Sequence, residues 1–339
     1  MSELIFSDIP AGANARVSIC DADAPDNVLF DQALAPYSDR SVHLVGVGEL
    51  VNQYLRTKER SFMRLKVSAA AASQSLSAVL YVAFCSLHAN IGPEEFFAAN
   101  WVSPVAARQV APGALLPLGA VFRTPDSPAA LLLESVEDAT DGSFSTPQVS
   151  IPLAAVSQPA CAALDSRRFP VDDETKALSI AYGDARASFF LNRNLRKCDC
   201  FYFRNPFNAV DLVAFHASVK PKQSVEGTKA VLNDVTLLCN RSVELEFEVQ
   251  SGPLSRGELA LAAWMLASHD VRIEAAGRPA DDWADLCRIL ITESEISFNT
   301  VGDEPPSVKF SFRLRHNKLP LVVADNQNLF ANPFNAVFA

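Results

Sequence analysis

The feature that most constrains the fold is a pair of segments that alternate apolar and charged residues with the two-residue period of a β-strand. VELEFEVQ, at 243–250, has an apolar residue at every second position and three glutamates between them. SVKFSFRLR, at 307–315, alternates in the same way, but its charges are lysine and arginine. Such alternation predicts strands with one buried face. Because opposite charges on cross-strand neighbours are stabilising, we predict that these two strands are antiparallel neighbours.

Other segments show the same period, or the turns that separate such strands. Residues 15–36 predict a hairpin around DADAPDN, because Asp, Asn and Pro favour tight turns. SFMRLKVS, at 61–68, alternates three apolar residues with polar ones. A Gly-Asp pair between two apolar segments predicts a further hairpin over 176–193. Most of the chain is therefore predicted to be strand.

Two short helices are predicted among these strands. The first lies near 47–56, where apolar residues recur at i, i+3, i+4 and i+7. The second lies near 256–268, with Ser255 as N-cap and Glu258 completing a capping box. Its apolar residues spread over two faces, with Trp264 on the second, so it is predicted to be covered on two sides. Either a neighbouring subunit or the chain's own loop supplies the second cover.

The fold class that follows is mainly β with a minor α+β character, in two β-sandwich-like domains that each carry a short packed helix. The predicted boundaries are 1–165 for the N-terminal domain, 172–325 for the C-terminal domain and 326–339 for a C-terminal tail. The Pro-rich region 103–170 interrupts several apolar runs. Since proline cannot donate to a β-ladder, its segments are predicted to be edge strands or loops.

Length and charge limit the classes of function. A chain of 339 residues is long enough for about two domains, and its 49% apolar content is that of a folded protein. The formal charge of -10 argues against phosphate-directed nucleic-acid binding. The longest apolar runs fall short of the roughly 20 residues that span a bilayer, so no membrane insertion is expected. Seven cysteines without zinc-type CxxC pairs predict reduced thiols.

No motif for catalysis or cofactor binding is found in the sequence. It lacks a nucleophile elbow, a zinc-protease motif, a phosphate loop and a dinucleotide fingerprint. Its five histidines have no metal-ligand spacing. Cys198 and Cys200 flank Asp199 in a predicted strand, which puts both thiols on one face, but they lack partner ligands. Asp21, Asp23 and Asp26 fit a polar hairpin tip better than a calcium loop. We therefore predict no catalytic residue, no cofactor and no metal site.

A repeated hexapeptide is the clearest sign of association. Asn-Pro-Phe-Asn-Ala-Val occurs at 205–210 and again at 332–337, each time with Phe two positions before it. We predict that the tail copy is a docking strand that adds to a sheet edge of a neighbouring copy; the alternative is a tail folded back on its own domain. The residues predicted to serve assembly are Phe203, Asn205, Phe207, Trp264, Phe330, Asn332, Phe334 and Val337.

The C-terminal half also resembles a known group of viral proteins. The order CDCFYFRNPFNAVDLVAF, VTLLCNRSVELEFEVQSGPLSRGELALAAWMLASHDVRI, ILITESEISF and SVKFSFRLR, mainly within 198–325, resembles tail-associated proteins of phages and prophages of Bacteroidetes-type bacteria. The N-terminal run from ARVSICDADAP to LVGVGELVNQYL is similar to the first part of those chains. The layout also resembles distal-tail proteins, which form rings at the end of long-tailed phages. The resemblance brings no catalytic residue with it.

We therefore expect a structural subunit of a phage tail tip or baseplate, assembled in the host cytoplasm and located in the virion tail. It would form a homo-oligomeric ring and contact other phage tail proteins. The alternative is a tail-displayed receptor- or carbohydrate-binding module that recognises a host surface glycan. That module would need exposed aromatic residues, and the three tryptophans are Trp101, Trp264 and Trp283. An envelope-degrading enzyme would need a pair of facing carboxylates, which the sequence does not indicate.

Overall fold

The chain is mainly β, as the alternating segments predicted. The computed structural model describes residues 3–71, 74–85, 103, 105, 107–117, 120–122, 130–138, 144–145, 148–152, 160–162, 175–182, 185–232, 235–274, 280, 283–297 and 305–315. The chain divides into a first unit, residues 1–96 with 206–209, and a second unit, residues 97–205 with 210–339. The predicted sandwich arrangement of the sheets stays a prediction.

Among its described residues, the first unit contains a four-stranded antiparallel sheet, a two-stranded sheet and one helix. The larger sheet has the order β3-β2-β5-β6, and β1 pairs with β4. The predicted hairpin, the predicted helix and the alternating strand at 61–68 are all confirmed. The elements are β1 (Glu3–Phe6), β2 (Ala15–Asp21), β3 (Val28–Leu34), β4 (Val42–Val45), α1 (Val47–Thr57), β5 (Phe62–Ala71) and β6 (Gln74–Ala83).

The core of the first unit lies between α1 and the sheet. Val51 and Leu55 on α1 are fully buried, as are Met63 and Leu65 on β5. The spacing of four residues on the helix and two on the strand puts each pair on a single face. The periodicities that predicted these elements therefore also define the surfaces that they bury.

The second unit contains a six-stranded sheet, a two-stranded sheet, a seven-stranded sheet and one described α-helix. Its first strands are β7 (Ala107–Val110), β8 (Ala120–Phe122), β9 (Ala130–Asp138), β10 (Phe144–Ser145), β11 (Gln148–Pro152), β12 (Ala160–Ala162), β13 (Thr175–Tyr182) and β14 (Ala185–Leu191). The following elements are β15 (Cys200–Arg204), β16 (Val210–Ala214), β17 (Ala217–Leu232), β18 (Val235–Ser251), α2 (Arg256–Leu266), β19 (Val271–Ile273), β20 (Cys287–Ser297) and β21 (Ser307–Leu314).

The seven-stranded sheet is antiparallel throughout and has the order β16-β15-β19-β20-β21-β18-β17. Every residue of β15 is buried. Phe201 and Phe203 join the apolar cluster that includes α2, whereas Cys200 and Tyr202 join the cluster that includes β13 and β14. A strand covered on both faces reads as a continuous apolar run, which is why CDCFYF does not alternate.

The predicted pairing of the two oppositely charged strands is confirmed. β18 and β21 are antiparallel neighbours, and Phe247 lies opposite Phe312. The rings of these two residues stack with centroids 5.1 Å apart on the buried face. On the other face Lys309 Nζ lies 2.8 Å from a carboxylate oxygen of Glu248. Charge complementarity therefore identified the neighbours correctly across some 60 residues of sequence.

The Pro-rich region differs from what its prolines predicted. β9 is an inner strand, because it pairs with β13 on one side and with β10 and β11 on the other. The expectation of edge strands or loops is therefore wrong for β9, whose nine residues contain no proline to interrupt the ladder. The pairing of β9 with β13 also crosses the stretch 166–171, so the predicted boundary there lies inside the second unit.

Candidate assembly surfaces

The longest feature of the second unit is the hairpin of β17 and β18. Its ladder runs from the pair Ala217–Ser251 to the pair Leu232–Val235, whereas β21 pairs only with Phe247–Gln250 of β18. From Val243 outward, the two strands pair only with each other among the described strands. At about 3.3 Å per residue, that outer part is about 25 Å long. We call it the hairpin arm, residues 224–244.

Charged side chains support the base of the hairpin arm. The ammonium group of Lys309 donates to Glu248 and lowers the pKa of that carboxyl group. The hydroxyl of Thr292 donates to Glu246 over 2.6 Å and lowers the pKa of Glu246, and the guanidinium of Arg313 lowers it further. Both glutamates are therefore held in their charged form, on the same face of β18.

The internal hexapeptide forms the loop between β15 and β16. Phe203 ends the apolar part of β15, and Asn205, Phe207, Asn208 and Ala209 are all buried. Residues 205–209 connect the two strands through a turn at 206–207, and Val210 is the first residue of β16. Of the predicted assembly residues, Phe203, Asn205 and Phe207 are thus brought together by one hairpin.

The start and end of this loop are held within the second unit. Asp211 accepts a hydrogen bond from Asn205 Nδ2 over 3.4 Å and from its neighbour's backbone N–H over 2.9 Å. Its carboxylate also pairs with Arg108, and both side chains are almost fully buried. Arg108 in turn donates to the Ser103 hydroxyl and to the Val105 carbonyl. A buried carboxylate needs such a partner, because an unpaired one would be strongly destabilising.

The tip of the loop, residues 206–209, belongs to the first unit. Asn208 has a positive φ of 57°, a left-handed conformation that asparagine adopts more readily than most residues. Its amide nitrogen donates to the carbonyl of Leu55 over 3.2 Å and to that of Arg60 over 2.9 Å. We call the end of α1 that presents these two carbonyls the α1-end socket.

A buried carboxylate also holds the end of α1, through the side chains of Tyr54 and Arg60. Asp21, which is fully buried, accepts from the Tyr54 hydroxyl over 3.0 Å and from Arg60 over 2.8 Å. Asp23 pairs with Arg64, which lowers the pKa of Asp23. The prediction of a polar hairpin tip is therefore wrong for Asp21, which ends β2 as the buried partner of Arg60, whereas Asp23 and Asp26 are exposed in the turn.

The tryptophans are not arranged as an open platform in the described residues. On α2, Leu261 and Met265 are fully buried within the second unit, and Trp264 packs half-buried against the same cluster. The guanidinium groups of Arg204 and Arg272 lie 4.9 and 4.1 Å from the ring centroid of Trp283. Trp101 lies outside the described residues. The chain itself therefore covers much of the second face of α2.

The two neighbouring cysteines have no sign of activation. Cys198 lies in a 3-10 turn, Lys197–Asp199, rather than in the strand that was predicted. Burial raises the pKa of Cys198 to about 11 and that of Cys200 to about 12. A nucleophilic cysteine has the opposite shift, since the thiolate is the reactive form. In the part of the chain that the structure describes, no three His, Cys, Asp or Glu side chains are grouped as metal ligands.

Sequence reasoning missed Asn208, Arg108 and Asp211 as parts of this surface. Asn208 stands at the centre of the repeated hexapeptide, and its preference for left-handed backbone was a signal that could have singled it out. Arg108 and Asp211 are 103 residues apart, and no local pattern connects them. The predicted residues Phe330, Asn332, Phe334 and Val337 lie outside the described residues.

Comparisons of the chain with protein-family models, with curated proteins and with solved structures gave no match. Within the described ranges, neither helix has the length and apolarity that crossing a bilayer would require.

Proposed function

We propose that this protein is a non-catalytic structural subunit of a phage tail tip or baseplate, which self-assembles into a ring and connects the tail tube to other tail proteins. The observation that carries the proposal is the hairpin arm, in which two strands continue about 25 Å beyond Val243 and pair only with each other among the described strands. Its place would be the virion tail.

A two-stranded ribbon is marginally stable in water by itself, so an arm of this length favours a partner surface along its strands. A neighbouring copy supplies such a surface at every position of a closed ring. The paired charges Glu246, Glu248, Arg313 and Lys309 hold the base of the arm in one register. The arm therefore leaves the sheet in a defined direction, which suits a repeated contact.

The proposed location in a phage tail rests on the resemblance of residues 198–325 to phage tail-associated proteins. The comparisons with known proteins add nothing to it. The alternative, a glycan-binding module, is favoured by no observation, because Trp283 lies against two guanidinium groups and Trp264 against its own core. Detection of this chain at the tail tip of purified virions, by cryo-electron microscopy, tests the proposed location.

Shortening the hairpin arm tests the assembly role. Replacing residues 225–243 by Asn-Gly joins the opposed residues Ser224 and Glu244 through a two-residue hairpin turn. The residues Phe247–Gln250, which pair with β21 at the base, remain in place. We expect native mass spectrometry to find a closed oligomer for the full chain and a monomer or a smaller species for the shortened chain.

Circular dichroism and thermal unfolding of the shortened chain serve as the control for folding. An arm variant that unfolds like the full chain but no longer assembles supports the proposal. If the folded variant forms the same oligomer as the full chain, the hairpin arm is not the assembly element.

A further inference from the structure

The two copies of the hexapeptide differ in what surrounds them. The copies match at Phe, Asn, Pro, Phe, Asn, Ala and Val, in 203–210 and in 330–337. Ala331 stands where the internal copy has Arg204, and Phe338 stands where it has Asp211. The matched and the unmatched positions can be compared with the interactions that the internal copy makes.

The two unmatched residues each make a charged contact of the internal copy within the second unit, where the matched Asn205 also donates to Asp211. Arg204 lies over the ring of Trp283, and Asp211 forms the buried pair with Arg108. Alanine and phenylalanine can make neither interaction, since both lack a charge. The tail copy therefore lacks two of the contacts that hold the internal copy between β15 and β16.

The matched residues include the whole tip of the loop, residues 206–209, which belongs to the first unit. Asn208 makes the two donations into the α1-end socket, and Phe207 and Ala209 are buried beside it. The tail retains each of these residues as Phe334, Asn335 and Ala336. A site that binds one copy of this tip is chemically suited to the other.

We propose that the tail copy, residues 330–337, of one chain binds the α1-end socket of a second copy of the chain and there takes the place of the internal loop tip. This inference rests on the proposed self-assembly. In the isolated chain the internal copy holds the socket, because its attachment at both ends gives it a high effective concentration.

Assembly changes the balance between the internal copy and the tail copy in the α1-end socket. Exchange of an identical element between subunits costs little, because the hydrogen bonds and packing that one copy gives up are made again by the other. A ring brings the tail of each neighbour close to a socket and raises its effective concentration there. Exchange within one chain would link nothing, so assembly favours only the exchange between chains. The tail thus docks as a turn, in the form of the internal copy, rather than as an added strand.

Photo-crosslinking of the full chain tests the exchange. The residue Phe338 is replaced by p-benzoylphenylalanine, which leaves every matched residue intact, and the chain is mixed with ¹⁵N-labelled chain before irradiation. We expect crosslinks between a light and a heavy chain that map to residues 47–62, around the socket. Asn335→Ala should reduce their yield about tenfold, because it removes two hydrogen bonds.

Asn328→Ala is the matched control, since it removes an asparagine from the same tail outside the copied residues, and it should leave the yield unchanged. Crosslinks within one chain only, crosslinks elsewhere, or none would overturn the inference. Native mass spectrometry of the same samples separates the two claims. A closed oligomer without these crosslinks refutes the exchange alone, whereas a monomer refutes the self-assembly as well.

Discussion

Asn208 holds the tip of the internal loop by donating to the carbonyls of Leu55 and Arg60. Replacing it by alanine removes two hydrogen bonds to backbone carbonyls and places a Cβ-bearing residue without a polar side chain in left-handed backbone. We expect Asn208→Ala to lower the free energy of unfolding by about 2–4 kcal/mol, measured by urea denaturation.

Asn208→Gly separates the two contributions, because glycine also removes the hydrogen bonds but adopts a positive φ without strain. The decrease in unfolding free energy should be smaller than that of the alanine variant by about 1 kcal/mol. Equal decreases for the two variants would mean that the left-handed backbone at position 208 does not contribute to the loss of stability.

Glu248 provides a test of the charges at the base of the hairpin arm. Lys309 lowers the pKa of this carboxyl group in the folded chain. The pair therefore stabilises the fold above the unfolded-state pKa of glutamate, about 4.3, and that stabilisation is lost as the pH falls through the lower folded-state value.

Lys309→Met removes the ammonium group and should raise the pKa of Glu248 towards its ordinary value, as followed by carbon-detected NMR of the carboxyl group. The pKa of Glu246 should change less, because its first partner is Thr292. A Glu248 titration that is the same in both proteins would show that the ion pair is absent in solution.

At the scale of elements, alternation and capping could be predicted from the sequence, and pairing over long distances mostly could not. The capping box of α2 is present, with Glu258 N–H donating to the Ser255 hydroxyl over 3.2 Å and Ser255 N–H donating to the Glu258 carboxylate over 2.8 Å. Alternation and capping each depend on residues that lie only a few positions apart in the sequence. The inner place of β9 depends on which strands come to lie beside it, and no local period carries that information.

β6 is a second element suited to association. It lies at the edge of the described four-stranded sheet, and its sequence contains neither charge nor proline, the usual protections of an edge. Leu76, Val79 and Tyr81 are each about half exposed, at 56%, 50% and 46%. An edge of this kind favours pairing with a further strand.

Val79→Glu tests this edge, because residue 79 lies opposite Lys66 on β5. The new cross-strand pair of opposite charge should keep the melting temperature at or above that of the original chain. We expect the variant to associate less at high concentration, measured by light scattering. The control is Val79→Lys, which places like charges opposite each other. If Val79→Glu scatters light as the original chain does, this edge does not take part in association.

At the scale of the whole molecule, the mainly β class followed from periodicity, but the division into units did not. Residues 206–209 belong to the first unit, although more than a hundred residues of the second unit precede them in the sequence. A boundary sought in a polar, proline-containing stretch cannot reveal such a return, because the returning residues are an apolar loop tip. The hexapeptide was conspicuous in the sequence, whereas its buried interactions became apparent only in the fold.

Native mass spectrometry of the unmodified, purified protein over a range of concentrations measures whether the chain assembles with itself. We expect one closed oligomer, with a mass that is a fixed multiple of the chain mass and independent of concentration. A monomer at every concentration, or a ladder of species that grows without closing, would contradict it.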